Sequence, residues 1–157
     1  MRTTVRIRAA TPADVAGILA LERLFPGDRM SAASVRRFLR IETADVIVAD
    51  RQGTLVGALV ILVRRNSPRA RLYSVVVAPS ARGQGLGARL VLRAERCARA
   101  RGRTGMQLEV RRDNAAARAL YRSLGYDERQ VLPDYYEDGA TGLRLWRDFP
   151  RKKSPRR

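Results

Sequence analysis

The sequence predicts an α/β (α+β) fold in which helices flank a mixed, mostly antiparallel central sheet. Apolar runs rich in β-branched residues alternate with segments of helical periodicity, and two of these runs flank the turn over residues 50–53, which is typical of a hairpin. Further along, a strand, a glycine-rich segment, a helix and a second strand follow one another as in a βαβ unit. A chain of 157 residues with 45% hydrophobic side chains suits one core, so we expect a single domain over residues 1–150 and a basic, disordered tail over residues 151–157.

The first half of the chain is predicted to contain two helices between its strands. Thr11, followed by Pro12 and by Asp14 two positions later, is typical of a helix start, and Ser31 is a good N-cap for the second helix. Gly53 suits the positive-φ position of the hairpin turn. In chain order, the expected elements are a strand over 4–8, a helix over 11–25 that ends at 26–28, a helix over 31–39, and antiparallel strands over 46–49 and 55–63.

The second half is predicted to continue with the βαβ unit, a helix and two final strands. Pro79 ends the first of these strands, and Gly125 has the usual place of a residue that closes a helix. The expected elements are a strand over 72–77, a helix over 86–98, a strand over 106–110, a helix over 115–124, and a hairpin-like pair of strands over 126–132 and 142–147.

The chain is strongly basic. It has 32 Lys and Arg residues against 15 Asp and Glu residues, for a net charge of +17, and five of the basic residues lie in the tail. A field of this sign favours phosphates, RNA or acidic surfaces, although a solvated arginine-rich surface explains the charge equally well. One hypothesis is therefore a nucleic-acid-binding or ribosome-binding module, with the tail as the contact. Few aromatic residues, and no RNA-binding or zinc-ligand pattern, count against it.

Several classes of site are excluded or disfavoured by composition. No histidine is present, so imidazole catalysis is excluded and no metal site is expected. The single cysteine, Cys97, lies on the apolar stripe of a predicted helix without a base beside it, so we expect no covalent acyl-enzyme. No apolar run approaches the roughly 20 residues of a membrane span, and the N-terminus has no secretory-type stretch. We expect a cytoplasmic protein without a membrane partner.

The glycine-rich segment over residues 82–87 is the first candidate for a binding site. A loop of this kind entering a helix presents unpaired N–H groups and the positive end of the helix dipole to an anion. A simple tight turn is the structural alternative. A P-loop is excluded because Gly87 is followed by Ala88 and Arg89, and a dinucleotide-binding fold is disfavoured because the third glycine comes one position early.

Two motifs in this region resemble the GNAT superfamily of acyl-CoA N-acyltransferases. Its signature Q/R-x-x-G-x-G/A is matched by Arg82-Gly83-Gln84-Gly85-Leu86-Gly87. Its N-x-x-A-x-x-L-Y-x-x-x-G-F/Y segment is matched by Asn114, Ala117, Leu120, Tyr121, Gly125 and Tyr126. The runs Leu108-Glu109-Val110-Arg111 and Tyr135-Tyr136-Glu137-Asp138-Gly139 resemble the RimI-like branch, the protein N-terminal α-amine acetyltransferases. The resemblance covers nearly the whole chain apart from the tail.

This resemblance implies a GNAT fold with acetyl-CoA as the cosubstrate. It places the pyrophosphate on the glycine-rich segment and the pantetheine arm on the strand before it. The donor-binding residues would be Val75, Val76, Val77, Arg82, Gly83, Gln84, Gly85, Leu86, Gly87 and Asn114.

The same resemblance assigns the two catalytic residues. Acetyl transfer requires a neutral amine, so a base is useful; with no histidine present the candidates are carboxylates, and Glu109 occupies the family's position. Tyr121 would protonate the CoA thiolate as the general acid. The structural alternatives are a surface glutamate paired with arginine and a tyrosine packed in the core.

The acceptor is most consistent with a protein N-terminal α-amine. The resemblance places it between Leu24, Phe25, Pro26 and Met30 on one side and Tyr135 and Tyr136 on the other. A lysine side chain, a polyamine or another small-molecule amine remains an alternative, because the donor motif does not specify the acceptor. A net charge of +17 repels basic peptides, so a basic N-terminus is not an automatic substrate.

Overall fold

The computed structural model describes residues 4–25 and 29–151. Over these residues the chain forms seven strands in one sheet and four α-helices. They are β1 Arg6–Ala9, α1 Val15–Glu22, α2 Ala32–Arg40, β2 Ala44–Arg51, β3 Thr54–Leu62, β4 Arg69–Val77, α3 Leu86–Ala100, β5 Gly105–Arg111, α4 Ala115–Ser123, β6 Asp127–Leu132 and β7 Gly142–Asp148. Short 3₁₀ turns, Pro12–Asp14 and Pro79–Ala81, precede α1 and the glycine-rich segment.

The predicted order of elements is confirmed, with shifted ends. Ser31 caps α2 by accepting the Ser34 N–H at 3.1 Å. The first helix is shorter than expected, because the chain after Glu22 turns with shorter-range bonds: the Phe25 N–H donates to the Glu22 carbonyl at 3.2 Å. The expected stop over residues 26–28 lies outside the described residues.

The sheet has the order β1-β2-β3-β4-β5-β7-β6. All neighbours are antiparallel except β4 and β5, which α3 connects as the crossover of the predicted βαβ unit. The β2–β3 hairpin turns at Gly53, whose φ is +88° and whose N–H donates to Asp50 at 2.7 Å. The mixed, mostly antiparallel sheet with flanking helices is therefore confirmed.

A cleft opens between β4 and β5 because their pairing stops early. Parallel pairing covers only three positions and ends at Arg71 opposite Gln107. Just beyond this point β4 carries a bulge: Leu72 pairs with Ile61 and Ser74 pairs with Val60, so Tyr73 is an extra residue. A bulge increases strand twist and bends the strand, which is consistent with the loss of pairing here. Residues 72–77 of β4 thus have a strand partner on one edge only.

Candidate functional site

The cleft between β4 and β5 contains a cavity of about 500 Å³. It is lined by β4, β5, α4 with its N-cap, and the segment before β7. Five of the residues predicted from the sequence line it: Val75, Glu109, Asn114, Tyr121 and Tyr136. The two predicted catalytic side chains, Glu109 and Tyr121, belong to separate sequence motifs and line the same cavity.

Glu109 lies in the middle of β5 between two arginines. Its side chain is only 8% exposed, and its two oxygens accept from Arg71 Nε on β4 and Arg144 Nε on β7, each at 3.3 Å. These contacts are at the long end of the hydrogen-bond range, so the oxygens keep lone pairs for an amine or a water molecule. Glu109 is paired with arginine, as the structural alternative expected, but it is buried in the cavity wall and not on the open surface.

Tyr121 is buried on α4, with a residue exposure of 5%. This burial raises the pKa of its phenol above the ordinary value, so the hydroxyl stays protonated at neutral pH and is able to donate a proton. Its ring meets the Tyr126 ring edge to face, with centroids 5.8 Å apart. The phenol therefore has the protonation state that a general acid requires.

A buried polar network lies behind Tyr121. The Tyr126 hydroxyl donates to Glu95 Oε2 at 2.7 Å, and Arg147 Nη1 donates to Glu95 Oε1 at 2.8 Å. Glu95 lies on α3 and is 2% exposed, so its charge is compensated by two donors from other elements. The network ties α3 to the strand pair beyond α4 and fixes the ring on which Tyr121 packs.

The glycine-rich segment enters α3 with left-handed backbone at two positions. Gly83 has φ +78° and Gly85 has φ +73°, and a Cβ built on either would meet nothing within 4 Å. The first hydrogen bond of α3 runs from the Arg89 N–H to the Gly85 carbonyl at 3.1 Å, so the N–H groups before Arg89 have no intrahelical acceptor. This open row of donors suits an anion such as a pyrophosphate.

The two ends of this segment, and Arg89 after it, contact other parts of the chain. The Arg82 guanidinium lies over the Phe25 ring at 5.5 Å, and Arg89 Nη2 donates to the Val5 carbonyl at 3.2 Å. Gly87 packs against α4, because a Cβ there would lie 3.3 Å from Leu120 Cδ2. None of the residues over 82–87 lines the cavity of Glu109.

The predicted pantetheine strand is the part of β4 that lacks a β5 partner. Val75, Val76 and Val77 pair with β3 on one edge. Asn114, the other predicted donor contact, caps α4 by accepting the Ala117 N–H at 3.1 Å. Its side-chain NH₂ donates no hydrogen bond within residues 4–25 and 29–151.

The predicted acceptor residues fall into two groups. Tyr135 and Tyr136 each line a cavity that Glu109 also lines, their rings meet edge to face at 5.1 Å, and Arg111 lies over Tyr136 at 4.6 Å. Leu24, Phe25 and Met30 do not line the Glu109 cavity. Pro26 lies outside the described residues.

The α1–α2 connection is anchored by a buried carboxylate. Glu22 is 5% exposed, and its Oε2 accepts the Met30 N–H at 3.2 Å. Its Oε1 has no hydrogen-bond partner in the described part of the chain, and burial raises the pKa of this carboxyl. Leu24, which follows it, is 54% exposed. The composition of the segment did not predict this buried acid.

A second cavity of about 400 Å³ lies against Glu109 as well, and we call it the arginine cavity. It was not predicted, because its walls come from four separate parts of the chain. Its lining residues are Leu62, Arg64, Asn66, Ser67, Arg69, Arg71, Gln107, Glu109, Tyr135 and Arg144.

Cys97 has the environment of a packed residue. It is half-buried on α3, burial raises the pKa of its thiol, and it does not line the Glu109 cavity. A thiol held protonated is a poor nucleophile. Over residues 4–25 and 29–151, no three His, Cys, Asp or Glu side chains come together as a metal site, and no helix has the length and apolar character to cross a membrane.

Comparison with known proteins gives a consistent result. The family model described as Acetyltransferase (GNAT) family matches residues 17–126. The chain is 37% identical over 149 residues to the N-alpha-acetyltransferase RimI of Mycobacterium tuberculosis, which covers 92% of each chain. It is 34% identical over 145 residues to the uncharacterized protein ML0378 of Mycobacterium leprae; that match covers 90% of this chain but only 40% of the longer relative.

The fold also matches solved structures. The crystal structure of the ribosomal-protein-S18-alanine N-acetyltransferase from Escherichia coli superposes with a TM-score of 0.84, covering 98% of this chain and 99% of the other at 24% identity. The chain therefore shares its overall fold with this structure.

Proposed function

The chain belongs to the GNAT family of acetyltransferases, and from that premise we propose that it transfers acetyl directly from acetyl-CoA to a protein N-terminal α-amine. The observation that carries the proposal is that Glu109 and Tyr121 line one cavity at the point where β4 and β5 separate. The similarity to an N-alpha-acetyltransferase over 92% of both chains supports the choice of acceptor. We take residues 1–150 as one catalytic domain, and a cytoplasmic location stays a prediction.

The donor would bind along α3 and β4. The glycine-rich segment over 82–87 offers N–H groups without intrahelical acceptors and two positive-φ glycines that face open space, which fits a pyrophosphate. The unpaired edge of β4 over 75–77 offers backbone groups for an extended arm with amides. Asn114 keeps its NH₂ group free for the same ligand.

Glu109 acts as the base in this proposal. An α-amine has a pKa of about 7.7–8.0, so most of it is protonated at neutral pH and must lose a proton before it attacks. Glu109 takes up that proton, directly or through a water molecule. The contacts from Arg71 and Arg144 hold the carboxylate in place, and each oxygen has a further lone pair that can accept a proton.

Tyr121 acts as the acid. The neutral amine nitrogen bonds to the thioester carbonyl carbon, the carbon–sulfur bond breaks, and the electron pair stays on sulfur. The phenol gives its proton to the thiolate, so CoA leaves as the thiol. The protons released by the nitrogen leave through Glu109 and water, from which Tyr121 regains its own. Because the pKa of Tyr121 is raised, the phenol stays protonated until the thiolate forms.

The experiment has a donor part and an acceptor part. Calorimetric titration is expected to show one-site binding of acetyl-CoA, with ATP and NAD⁺ as controls. Mass spectrometry then locates the acetyl group on peptides that carry both a free N-terminus and an internal lysine. Acetylation at the N-terminus supports the proposal. Acetylation confined to lysine, or to a polyamine, would replace the acceptor and keep the donor, whereas a folded protein that does not bind acetyl-CoA would contradict the proposal.

The basic tail is proposed as an accessory contact to RNA or ribosomes. Residues 152–157 of this tail lie outside the described part of the chain, and the reason for the proposal is the charge of the tail. Deleting residues 151–157 is expected to weaken RNA or ribosome binding and to make it less sensitive to salt, without changing peptide acetylation. Unchanged binding would contradict this contact.

A further inference from the structure

We propose that the arginine cavity binds a carboxylate of the acceptor, so that the enzyme prefers N-terminal segments with an acidic side chain in their first three residues. This inference rests on the proposed function, because it concerns the same reaction. It names the class of acceptor that the Glu109 site selects.

The arginine cavity has more positive charge than its carboxylates balance. Arg69 is compensated by Asp148, whose Oδ1 accepts from its Nε at 3.0 Å. Arg71 and Arg144 share the single carboxylate of Glu109. Arg64 lines the same cavity and forms no ion pair within the described residues. Two guanidinium charges are therefore left without a carboxylate, in a cavity that is partly shielded from solvent.

The guanidinium groups of the arginine cavity are held in place, which favours binding of a planar carboxylate at this site. Arg69 is held by its contact with Trp146, where the guanidinium lies 4.6 Å from the ring centroid, and Arg144 Nη1 donates to Gln130 Oε1 at 2.9 Å. Guanidinium groups fixed in this way lose little entropy when they bind a planar carboxylate. Asn66 and Ser67 add neutral polar groups to the same wall.

The arginine cavity adjoins the proposed acceptor site at Glu109 and not the proposed donor site. Glu109 lines both cavities, whereas Tyr121, Val75 and Asn114 line only the first. An amine at Glu109 is therefore next to the arginine cavity. Tyr135 lines the arginine cavity and Tyr136 lines the first, with their rings in contact, so this segment borders the path of a peptide between them.

The length of an extended peptide sets which residues reach the cavity. Each residue spans about 3.3–3.6 Å, so the side chains of the first three residues lie within about 10 Å of the amine. A volume of about 400 Å³ has room for a small number of side chains. Basic side chains at these positions are disfavoured, because they would face Arg64 and Arg71.

The test compares three peptides that share an N-terminal serine and differ at positions 2 and 3, which are Asp-Asp, Asn-Asn or Lys-Lys. We expect kcat/KM for the Asp-Asp peptide to exceed that for the Asn-Asn peptide about tenfold, and the Lys-Lys peptide to be the poorest. The difference is expected to appear mainly in KM and to shrink at 0.5 M NaCl, because the charges are partly exposed.

The matched variants are Arg64→Gln and Arg65→Gln. The two residues are exposed neighbours, but only Arg64 lines the arginine cavity. Arg64→Gln is expected to reduce the preference for Asp-Asp over Asn-Asn about threefold or more, while Arg65→Gln leaves it unchanged. Neither substitution touches Glu109 or Tyr121, so the rate with the Asn-Asn peptide serves as the control for folding and catalysis.

Equal kcat/KM values for the Asp-Asp and Asn-Asn peptides would overturn the inference and leave the proposed function intact. Equal effects of Arg64→Gln and Arg65→Gln would also overturn it, because a general surface field would then explain the preference. Inhibition by a short RNA that Arg64→Gln relieves, without any difference among the peptides, would assign the cavity to nucleic acid instead. If none of the peptides is acetylated at its N-terminus while acetyl-CoA still binds, the proposed N-terminal acceptor is contradicted, and the inference that rests on it is contradicted as well.

Discussion

Glu109 and Arg144 lie directly opposite each other on β5 and β7, and Arg144 Nε donates to Glu109 Oε1 at 3.3 Å. Arg71 approaches the other oxygen from β4, so the proposed base is positioned from both neighbouring strands. A register shift of one residue in either strand pair would turn one of these arginines to the opposite face of the sheet. The orientation of the base therefore depends on the sheet and not on a loop.

Glu109→Gln is expected to lower kcat about 10²-fold or more, because the amide has nearly the same size but cannot take up a proton and keeps an acceptor for only one of the two arginines. Binding of acetyl-CoA is expected to stay within about twofold of the parent protein. Steady-state kinetics from pH 6 to 9 and calorimetry check both results. Glu42→Gln, on the exposed connection between α2 and β2, is the control. Unchanged turnover of the Glu109 variant would remove it from the proposed base role.

Tyr121→Phe is expected to lower kcat about 10²-fold with little change in acetyl-CoA affinity, because only the proton donor is lost. The pH profile carries a second expectation. Burial raises the pKa of Tyr121, so the acid form persists above pH 10, and the parent enzyme should not lose activity between pH 8 and 10 through ionisation of this group. An alkaline limb near pH 9 that disappears in the phenylalanine variant would contradict the raised pKa of Tyr121, and unchanged kcat in that variant would contradict its role as the acid.

Gly85→Ala is expected to weaken acetyl-CoA binding at least tenfold, because the new Cβ points into the open space that a pyrophosphate would fill. Gly53→Ala is the matched control. Gly53 also has a positive φ and open space around it, but it lies in the β2–β3 turn away from α3. Both substitutions carry similar backbone strain of about 1 kcal/mol, so a similar fall in Tm is expected. Equal donor affinity in the two variants would exclude the glycine-rich segment as the anion site.

The sequence predicted the helices, the strands and the residues of the candidate site, but it did not predict which side chains contact those residues. Local signals are sufficient for Ser31 as a cap, for the Gly53 turn and for the motif that contains Tyr121, because each depends on neighbours within a few residues. The two arginines beside Glu109 depend on which strands pair with β5. That pairing joins residues 35 and 38 positions apart, and the order β5-β7-β6 was not predicted from the sequence.

The same limit explains why the arginine cavity was missed. The sequence does not distinguish the four arginines of this cavity from the other basic residues, because 32 residues of the chain are Lys or Arg. The four are Arg64, Arg69, Arg71 and Arg144. Arg71 and Arg144 reach the carboxylate of Glu109 because β4 and β7 are the strands that pair with β5, and Arg64 and Arg69 line the same cavity. Charge composition left an anionic partner and a solvated arginine-rich surface as equal alternatives, and the structure shows which of the arginines line one cavity.

Tyr126→Phe is expected to lower the free energy of unfolding by about 1–3 kcal/mol, because it removes one of the two donors that compensate the buried Glu95 carboxylate. Thermal unfolding should show a Tm lower by several degrees. Tyr73→Phe is the control, since Tyr73 is 43% exposed and is expected to change stability by less than about 0.5 kcal/mol. Equal Tm values for the two variants would mean that the Glu95 network does not stabilise the fold.

The pair of Arg8 and Asp14 predicts how stability depends on pH. Arg8 donates to both Asp14 oxygens at 2.8 and 2.9 Å, and the Thr11 N–H donates at 2.8 Å. The hydrogen bonds from Arg8 lower the pKa of the Asp14 carboxyl below its ordinary value. Because the pKa is lower in the folded than in the unfolded chain, the stabilisation is complete above the unfolded value of about 3.9 and is lost as the pH falls through the folded value.

Asp14→Asn is therefore expected to lower the free energy of unfolding by about 1–3 kcal/mol at pH 7. The difference from the parent protein is expected to shrink below pH 4, where Asp14 of the parent becomes protonated and loses its charge. Urea unfolding of the parent and the variant at pH 7, 4 and 3 checks the narrowing of this difference. Asp113→Asn is the control, because Asp113 is exposed and forms no ion pair in the part of the chain that the structure describes. A cost for Asp14→Asn that stays constant from pH 7 to 3 would show that Asp14 stabilises β1 and the following turn through its shape and neutral hydrogen bonds alone.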